Sequence, residues 1–256
     1  MAELNGRPVS LDELQTLALT NYGHFTSFRI DDGRVRGLPL HLERLNRDCQ
    51  ALFGVSLDAG HLRDLVRSAA PKQGAATIRV TVFDPTTDLG RPASARDPHV
   101  LVTHRQAAAL PLSPLSVQTC TFLRDTPQVK SVGLFGTLRQ RRLAQLNGFD
   151  DALFADATGL ISEGGTWNVG FIDGTQIIWP DAPCLPGVTM RLLHDPSHRV
   201  LPVRLEDLNS MEGAFATNAA IGVRAITRIN NVTLPEHSPA LDILRKEYLN
   251  TETTFV

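Results

Sequence analysis

Val129-Lys130-Ser131-Val132-Gly133-Leu134-Phe135 and, further on, Ile161-Ser162-Glu163-Gly164-Gly165-Thr166-Trp167-Asn168 are the stretches on which the reading of this chain turns. Among its 25 basic residues only Lys72, Lys130 and Lys246 are lysines, the rest being arginines. Where arginine serves for plain positive charge, a lysine needs a reason, and Lys130 lies among apolar and small residues rather than on a solvated face. An amine, unlike a guanidinium, can lose its proton near neutral pH and condense with an aldehyde. The structural alternative is a lysine whose stem packs and whose head reaches water. Glu163 stands at a strand end followed by two glycines, an unusual setting for an acid.

Outward from these stretches the chain alternates in period. Glu3-Leu4, Asn5-Gly6 and Arg7-Pro8-Val9 read as a hairpin, as do Phe25 to Ile30, Asp32-Gly33 and Arg34-Val35. Leu42, Leu45, Cys49, Leu52 and Phe53 fall on one stripe of a helix from about Pro39 to Leu52 ended by Gly54, and Leu62, Leu65, Val66 and Ala69 mark a second helix stopped at Pro71. Ala76 to Phe83 and Val100 to His104 read as strands, with a mobile, turn-rich loop over 84–98 between them. Small residues and prolines near Ala107 to Pro114 read as a linker. Beyond it come a strand at Val117 to Phe122, a helix from about Gly133 to Leu146, hairpins over 151–163 and 169–179, a helix after Gly187, and a strand ending near Ala220. The expected organisation is a small N-terminal α+β domain (1–107), a linker (108–118) and a larger, strand-rich C-terminal domain (119–256).

Composition narrows the function classes. A net charge of −2 gives no sequence-wide basic field for nucleic acid, and 6% aromatics argue against a stacking platform for single strands. No apolar run is long enough to span a bilayer, and the first residues lack the layout of a signal peptide. Cys49, Cys120 and Cys184 are far apart and have no metal-ligand spacing. A cytoplasmic enzyme or binding protein, with neither nucleic acid nor membrane as partner and no metal, is the expectation.

A pyridoxal phosphate enzyme needs an amine for the aldehyde, an acid at the ring nitrogen, donors for the phosphate and a substrate pocket. Lys130 and Glu163 suit the first two, and Gly187-Val188-Thr189 at a helix start suits the third. Each element is weak alone. In order, however, Phe25-Thr26-Ser27-Phe28-Arg29-Ile30-Asp31-Asp32-Gly33, His41-Leu42-Glu43-Arg44-Leu45, Lys130, Ala152 to Asp156, Ser162-Glu163-Gly164 with Asn168, Leu185-Pro186-Gly187-Val188-Thr189 and Ala216-Thr217 resemble the class IV aminotransferases of pyridoxal phosphate fold type IV over nearly the whole chain. That family includes branched-chain aminotransferases, D-amino-acid transaminases and aminodeoxychorismate lyase.

The resemblance implies a two-domain α+β fold with the cofactor in the cleft between domains, in a homodimer. It implies that Lys130 forms the internal aldimine and shuttles the substrate proton, and that Glu163 binds the pyridine nitrogen. It assigns Arg44, Val188, Thr189 and Thr217 to the phosphate, and Tyr22, Phe25, Thr26, Phe135 and Trp167 to the substrate pocket. Amino-group transfer between an amino acid or amine and a keto acid is the leading expectation. Two departures matter: Phe135 stands where many transaminases of the family have tyrosine, and Thr26 where an acid often stands, as in the lyase branch. A C–C lyase releasing pyruvate is therefore the alternative, and a relative that binds the cofactor without catalysis is the third reading. No arginine and histidine pair for the substrate carboxylate is recognisable; Arg91, Arg96 and His99 lie in the right loop without its pattern.

Overall fold

In a computed structural model that describes residues 2–256, the chain forms two compact units, each built on its own sheet. The first comprises residues 2–107 with Val129–Gly133 and Glu252–Val256, and the second Ala108–Gln128 with Leu134–Thr251. The division is thus not a single cut of the sequence, because the short segment around Lys130 and the C-terminal residues join the first unit.

With elements numbered along the chain, the sheet of the first unit runs β16 (Thr253–Phe255), β4 (Arg34–Arg36), β3 (His24–Asp31), β5 (Ala75–Phe83), β6 (His99–Gln106), β1 (Ala2–Leu4) and β2 (Arg7–Pro8), antiparallel throughout. Its Asn5-Gly6 and Asp32-Gly33 corners have positive φ at both positions, the geometry that matches the twist of paired strands. Helix α2 (Leu38–Phe53) ends on Gly54 in the left-handed region, and α3 (Ala59–Ala69) opens where the Asp58 carboxylate accepts the His61 N–H. Helix α1 (Leu11–Thr20) was not expected. It buries none of its residues fully, although Leu14 and Leu17 pack against Leu4, Phe83 and Leu101, and the reciprocal Ser10 and Glu13 capping box is a sequence signal for it. The 84–98 loop is tied at its base by buried Asp84, whose carboxylate accepts the N–H groups of Thr86 and Asp97 at 2.8 and 2.9 Å.

In the second unit the strand order is β12 (Arg199–Leu201), β11 (Gln176–Pro180), β10 (Asn168–Asp173), β13 (Gly213–Asn218), β14 (Gly222–Ile229), β7 (Leu115–Thr121), β8 (Asp151–Ala155) and β9 (Ile161–Gly164), with β15 (Val232–Thr233) on β14. Because β9 also pairs with β10, six of these strands close into a barrel, which removes their edges. Strand β7 lies parallel to β8, and α4 (Phe135–Leu146), which packs on both, makes the crossover between them. Strand β7 starts inside the stretch expected to be linker, because Leu115 and Val117 alternate into the barrel core with Leu153, Val169, Phe171 and Ile226. Helix α6 (Pro239–Asn250), capped by Ser238, packs Leu241, Leu244 and Tyr248 on Ile172 and Phe215. Neither β14 nor α6 was anticipated. The Arg141 guanidinium takes both oxygens of buried Asp151 at 2.9 and 2.7 Å. Among the described residues no helix is long and apolar enough to cross a membrane.

The core of the first unit also encloses two histidines. Burial pushes His24 down to about 3, aided by Arg47, and holds His41 well below its usual value, aided by Arg44 and Lys130. Both are neutral when folded and protonate on unfolding below about pH 6.5, so the unfolded state binds more protons there and stability falls as pH falls. Each contributes a slope approaching about 1.4 kcal/mol per pH unit. Urea unfolding is expected to show stability about 2–3 kcal/mol lower at pH 5.5 than at 7.5, with much of the dependence removed in a His24→Gln, His41→Gln variant. An equal pH slope in parent and variant would contradict the assignment.

Candidate active site

In the first unit the Lys130 segment is fastened to the end of β3. The Phe25 N–H donates to the Lys130 carbonyl at 2.9 Å and the Val132 N–H to the Gly23 carbonyl at 3.0 Å, with His24 and Ser131 opposite each other. The Lys130 N–H instead donates to the Asp48 carboxylate on α2 at 3.0 Å. Lys130 Nζ stands 4.9 Å from the Phe25 ring centroid, and the Arg79 guanidinium 3.6 Å from the same ring, both within cation–π range. The buried face of α2 carries His41, Arg44 and Asp48 in successive turns, so the arginine expected at the phosphate shares a face with the group that holds the lysine peptide. Thr26 and His41 are fully buried and share a hydrogen bond of 2.7 Å, and the His41 ring lies 4.8 Å from that of Phe28. Tyr22 turns its hydroxyl to the Leu52 carbonyl at 3.0 Å and meets Phe53 edge-on.

In the second unit Glu163 and Asn168 face each other across β9 and β10. The Glu163 carboxylate meets Arg124 at 3.4 Å and accepts the Leu185 N–H at 3.3 Å, while Asn168 Nδ2 donates to the Leu185 carbonyl at 2.7 Å. The two side chains thus grip one peptide-rich loop, Leu185-Pro186-Gly187, that leads into α5 (Val188–Leu192). A Cβ on Gly187 would stand 1.9 Å from Asn168 Oδ1, so only glycine lets the loop come this close. No side chain caps α5. Helix α5 packs on β13, and the hydroxyls of Thr189 and Thr217, on these two elements, are buried without a hydrogen-bond partner in the structure. A buried hydroxyl left unpaired costs about 1–3 kcal/mol, and two of them with the Val188 and Thr189 amides suit an anion with several acceptor oxygens.

The first unit brings together Phe25, Thr26, Arg44 and Lys130, and the second brings together Glu163, Val188, Thr189 and Thr217. Trp167 lies in the barrel core with its indole N–H on Asp151 at 2.8 Å, and Phe135 opens α4 with 82% of its surface exposed. Asp48, His41 and Arg124 were not singled out from sequence. For the first two a signal existed, since a polar residue at a stripe position of an amphipathic helix asks for a buried partner; Arg124, in an irregular segment, had none.

Residues 23–229 match the family described as Amino-transferase class IV. A probable branched-chain-amino-acid aminotransferase of Rickettsia typhi is 26% identical over 252 residues, covering 88% of this chain and 85% of the relative. Among solved structures, a branched-chain aminotransferase from the thermophilic archaeon Thermoproteus uzoniensis, with norvaline, superimposes with a TM-score of 0.82 at 19% identity, over 97% of this chain and 93% of that one. A putative 4-amino-4-deoxychorismate lyase from Legionella pneumophila gives 0.80 at 19% identity, over 96% of each chain. With the family matched over most of its length, the chain belongs to the class IV aminotransferases.

Proposed function

We propose that this chain is a pyridoxal phosphate-dependent aminotransferase that moves an amino group between an amino acid or amine and a keto acid. The observation that carries the reading is the pair of buried, unpartnered hydroxyls of Thr189 and Thr217, which fit the phosphate of this cofactor. Bound pyridoxal phosphate supplies an electrophilic aldehyde and a protonated ring that draws electron density from the carbon bearing the amino group. Lys130 would supply the amine that holds the aldehyde and would be the base that moves a proton at the substrate α-carbon. Glu163, its carboxylate fixed by Arg124 and the Leu185 amide, would accept the ring N–H. Thr189 and Thr217 would donate to phosphate oxygens, the Val188 and Thr189 amides would add two donors, and Arg44 would offset the charge. Phe25, beneath Lys130 Nζ, gives the amine an apolar floor, and Tyr22, Thr26, Phe135 and Trp167 remain the other candidates for the substrate pocket. A homodimer remains part of this reading.

A second reading, a lyase that releases pyruvate, is favoured by Thr26, where the hydroxyl bonded to His41 replaces an acid, and by Phe135, which offers no hydroxyl to the cofactor. The two separate in one experiment. A transaminase incubated with an amino donor alone is expected to leave pyridoxamine phosphate, whereas a lyase given aminodeoxychorismate yields pyruvate and aminobenzoate with no keto acid present.

Purified protein with added cofactor is expected to show the yellow absorbance of lysine-bound pyridoxal phosphate, and Lys130→Ala to lose that band and about 10²–10⁴-fold in turnover. Absence of the band in the parent, or parental turnover in Lys130→Ala, would overturn the reading. Gly187→Ala forces Asn168 and the loop apart. Loss of one phosphate hydrogen bond, about 1.5–3 kcal/mol, is expected to weaken cofactor affinity roughly 10–100-fold in an absorbance titration.

A further inference from the structure

We propose that Asp48 is a positioning residue for Lys130, acting through the lysine's own peptide rather than through its side chain. The inference rests on the reading of Lys130 as the amine that holds the cofactor aldehyde. Lys130 is not on a regular strand: its segment makes one isolated bridge to β3, between Ser131 and His24. Such a short pairing leaves a backbone free to swing unless another contact fixes it. Asp48 is such a contact. It is fully buried; one carboxylate oxygen accepts the Lys130 N–H at 3.0 Å, and the other accepts Arg47 Nε and Nη2 at 3.0 and 2.7 Å. With the Lys130 carbonyl held by the Phe25 N–H at 2.9 Å, the lysine peptide is held at both its N–H and its C=O.

The choice of a carboxylate has a physical reason. A hydrogen bond to a charged acceptor is about twice as strong as one between neutral groups, and a buried carboxylate needs a counter-charge, which Arg47 brings from a half-exposed position. Helix α2 then sets one rigid spacing between Arg44 and the lysine peptide, because both are referred to the same helix. Displacing Lys130 Cα by about 1 Å is enough to cost on the order of 10²-fold in a reaction that depends on a positioned amine.

The test compares Asp48→Ala, which removes the acceptor, with Asp48→Asn, which keeps one acceptor oxygen. In cofactor-free protein, hydrogen exchange of the peptide covering residues 129–133 is expected to speed up more than about tenfold in Asp48→Ala, with peptides of the second unit unchanged. In cofactor-loaded protein, kcat is expected to fall by about 10–100-fold with little change in KM, and the pH midpoint of the lysine-bound absorbance to move. Asp48→Asn is expected to recover most of each effect. The proposal is overturned if Asp48→Ala keeps parental exchange and midpoint, or if Asp48→Asn is as impaired as Asp48→Ala. Should Asp48→Ala fail to fold, Asp48→Leu, which fills the space without an acceptor, takes its place against Asp48→Asn with the same outcomes. A parent protein that forms no lysine-bound absorbance would instead defeat the cofactor reading and leave the exchange result to decide the clamp alone.

Discussion

The pairing of Gly23–Phe25 with Lys130–Val132 is the interaction on which the first unit's chemistry depends. It takes a segment from the middle of the chain, between β7 and α4 of the second unit, and makes it part of the first unit's fold. The fit is tight. A side chain at Gly23 would place its Cβ 2.6 Å from the Val82 carbonyl, so the end of β3 can run between β5 and the lysine segment only as glycine. Next to it His24 is wholly enclosed and neutral, since charging it there would require desolvating a cation among apolar neighbours and near Arg47.

The second unit solves a related problem by closure. Its barrel is completed where β9 meets β10, and the paired residues at that closing point are Glu163 and Asn168. The turn between them is compressed: a Cβ on Gly164 would stand 2.1 Å from the Trp167 ring, and one on Gly165 would meet Asp151 at 2.8 Å. Trp167 is therefore a wedge, fixed by the Asp151 carboxylate that Arg141 also holds. From that closing point Glu163 and Asn168 reach the Leu185 peptide, so the acid and the start of α5 are placed by one hairpin instead of by two independent loops. Groups referred to a closed barrel are held in place before any ligand arrives, which is what the proposed cofactor site would need.

Local chemistry was legible in the sequence to the extent that it is local. The Asn-Gly and Asp-Gly corners, the stripe of α2 and its stop at Gly54 follow from turn geometry and helical period, and the structure has them. Helix α1 escaped because only partly buried Leu14 and Leu17 dock it on the Leu4, Phe83 and Leu101 core, and its Ser10–Glu13 cap is its clearest sequence signal. The β7 boundary escaped because Leu115 follows prolines, and its alternation with Val117 acquires meaning only once a barrel exists to bury both. Lys130 and Glu163 stood out as residue types in unusual settings. Their supports did not: Asp48, a polar residue on the α2 stripe, asks for a buried partner but does not say which, and Arg124 is an ordinary residue until the fold brings the Glu163 carboxylate to it.

Helix α2 shows why those supports are informative once seen. His41, Arg44 and Asp48 occupy its buried face, where leucines would pack with no desolvation cost, and buried ion pairs are often less stable than apolar replacements of the same volume. Stability alone therefore does not explain the stripe. Full burial, with Arg44 and Lys130 nearby, keeps His41 neutral, so it orients Thr26 through a hydrogen bond without adding a further positive charge beside them. The helix thus presents on one buried face the Arg44 guanidinium, a neutral hydrogen-bonding ring at His41 and the Asp48 carboxylate paired with Arg47. On the proposed reading of Lys130 as the cofactor-holding amine, the same face that carries Arg44 also fixes the lysine backbone through Asp48, so a charged group and the amine's attachment point are held by one helix.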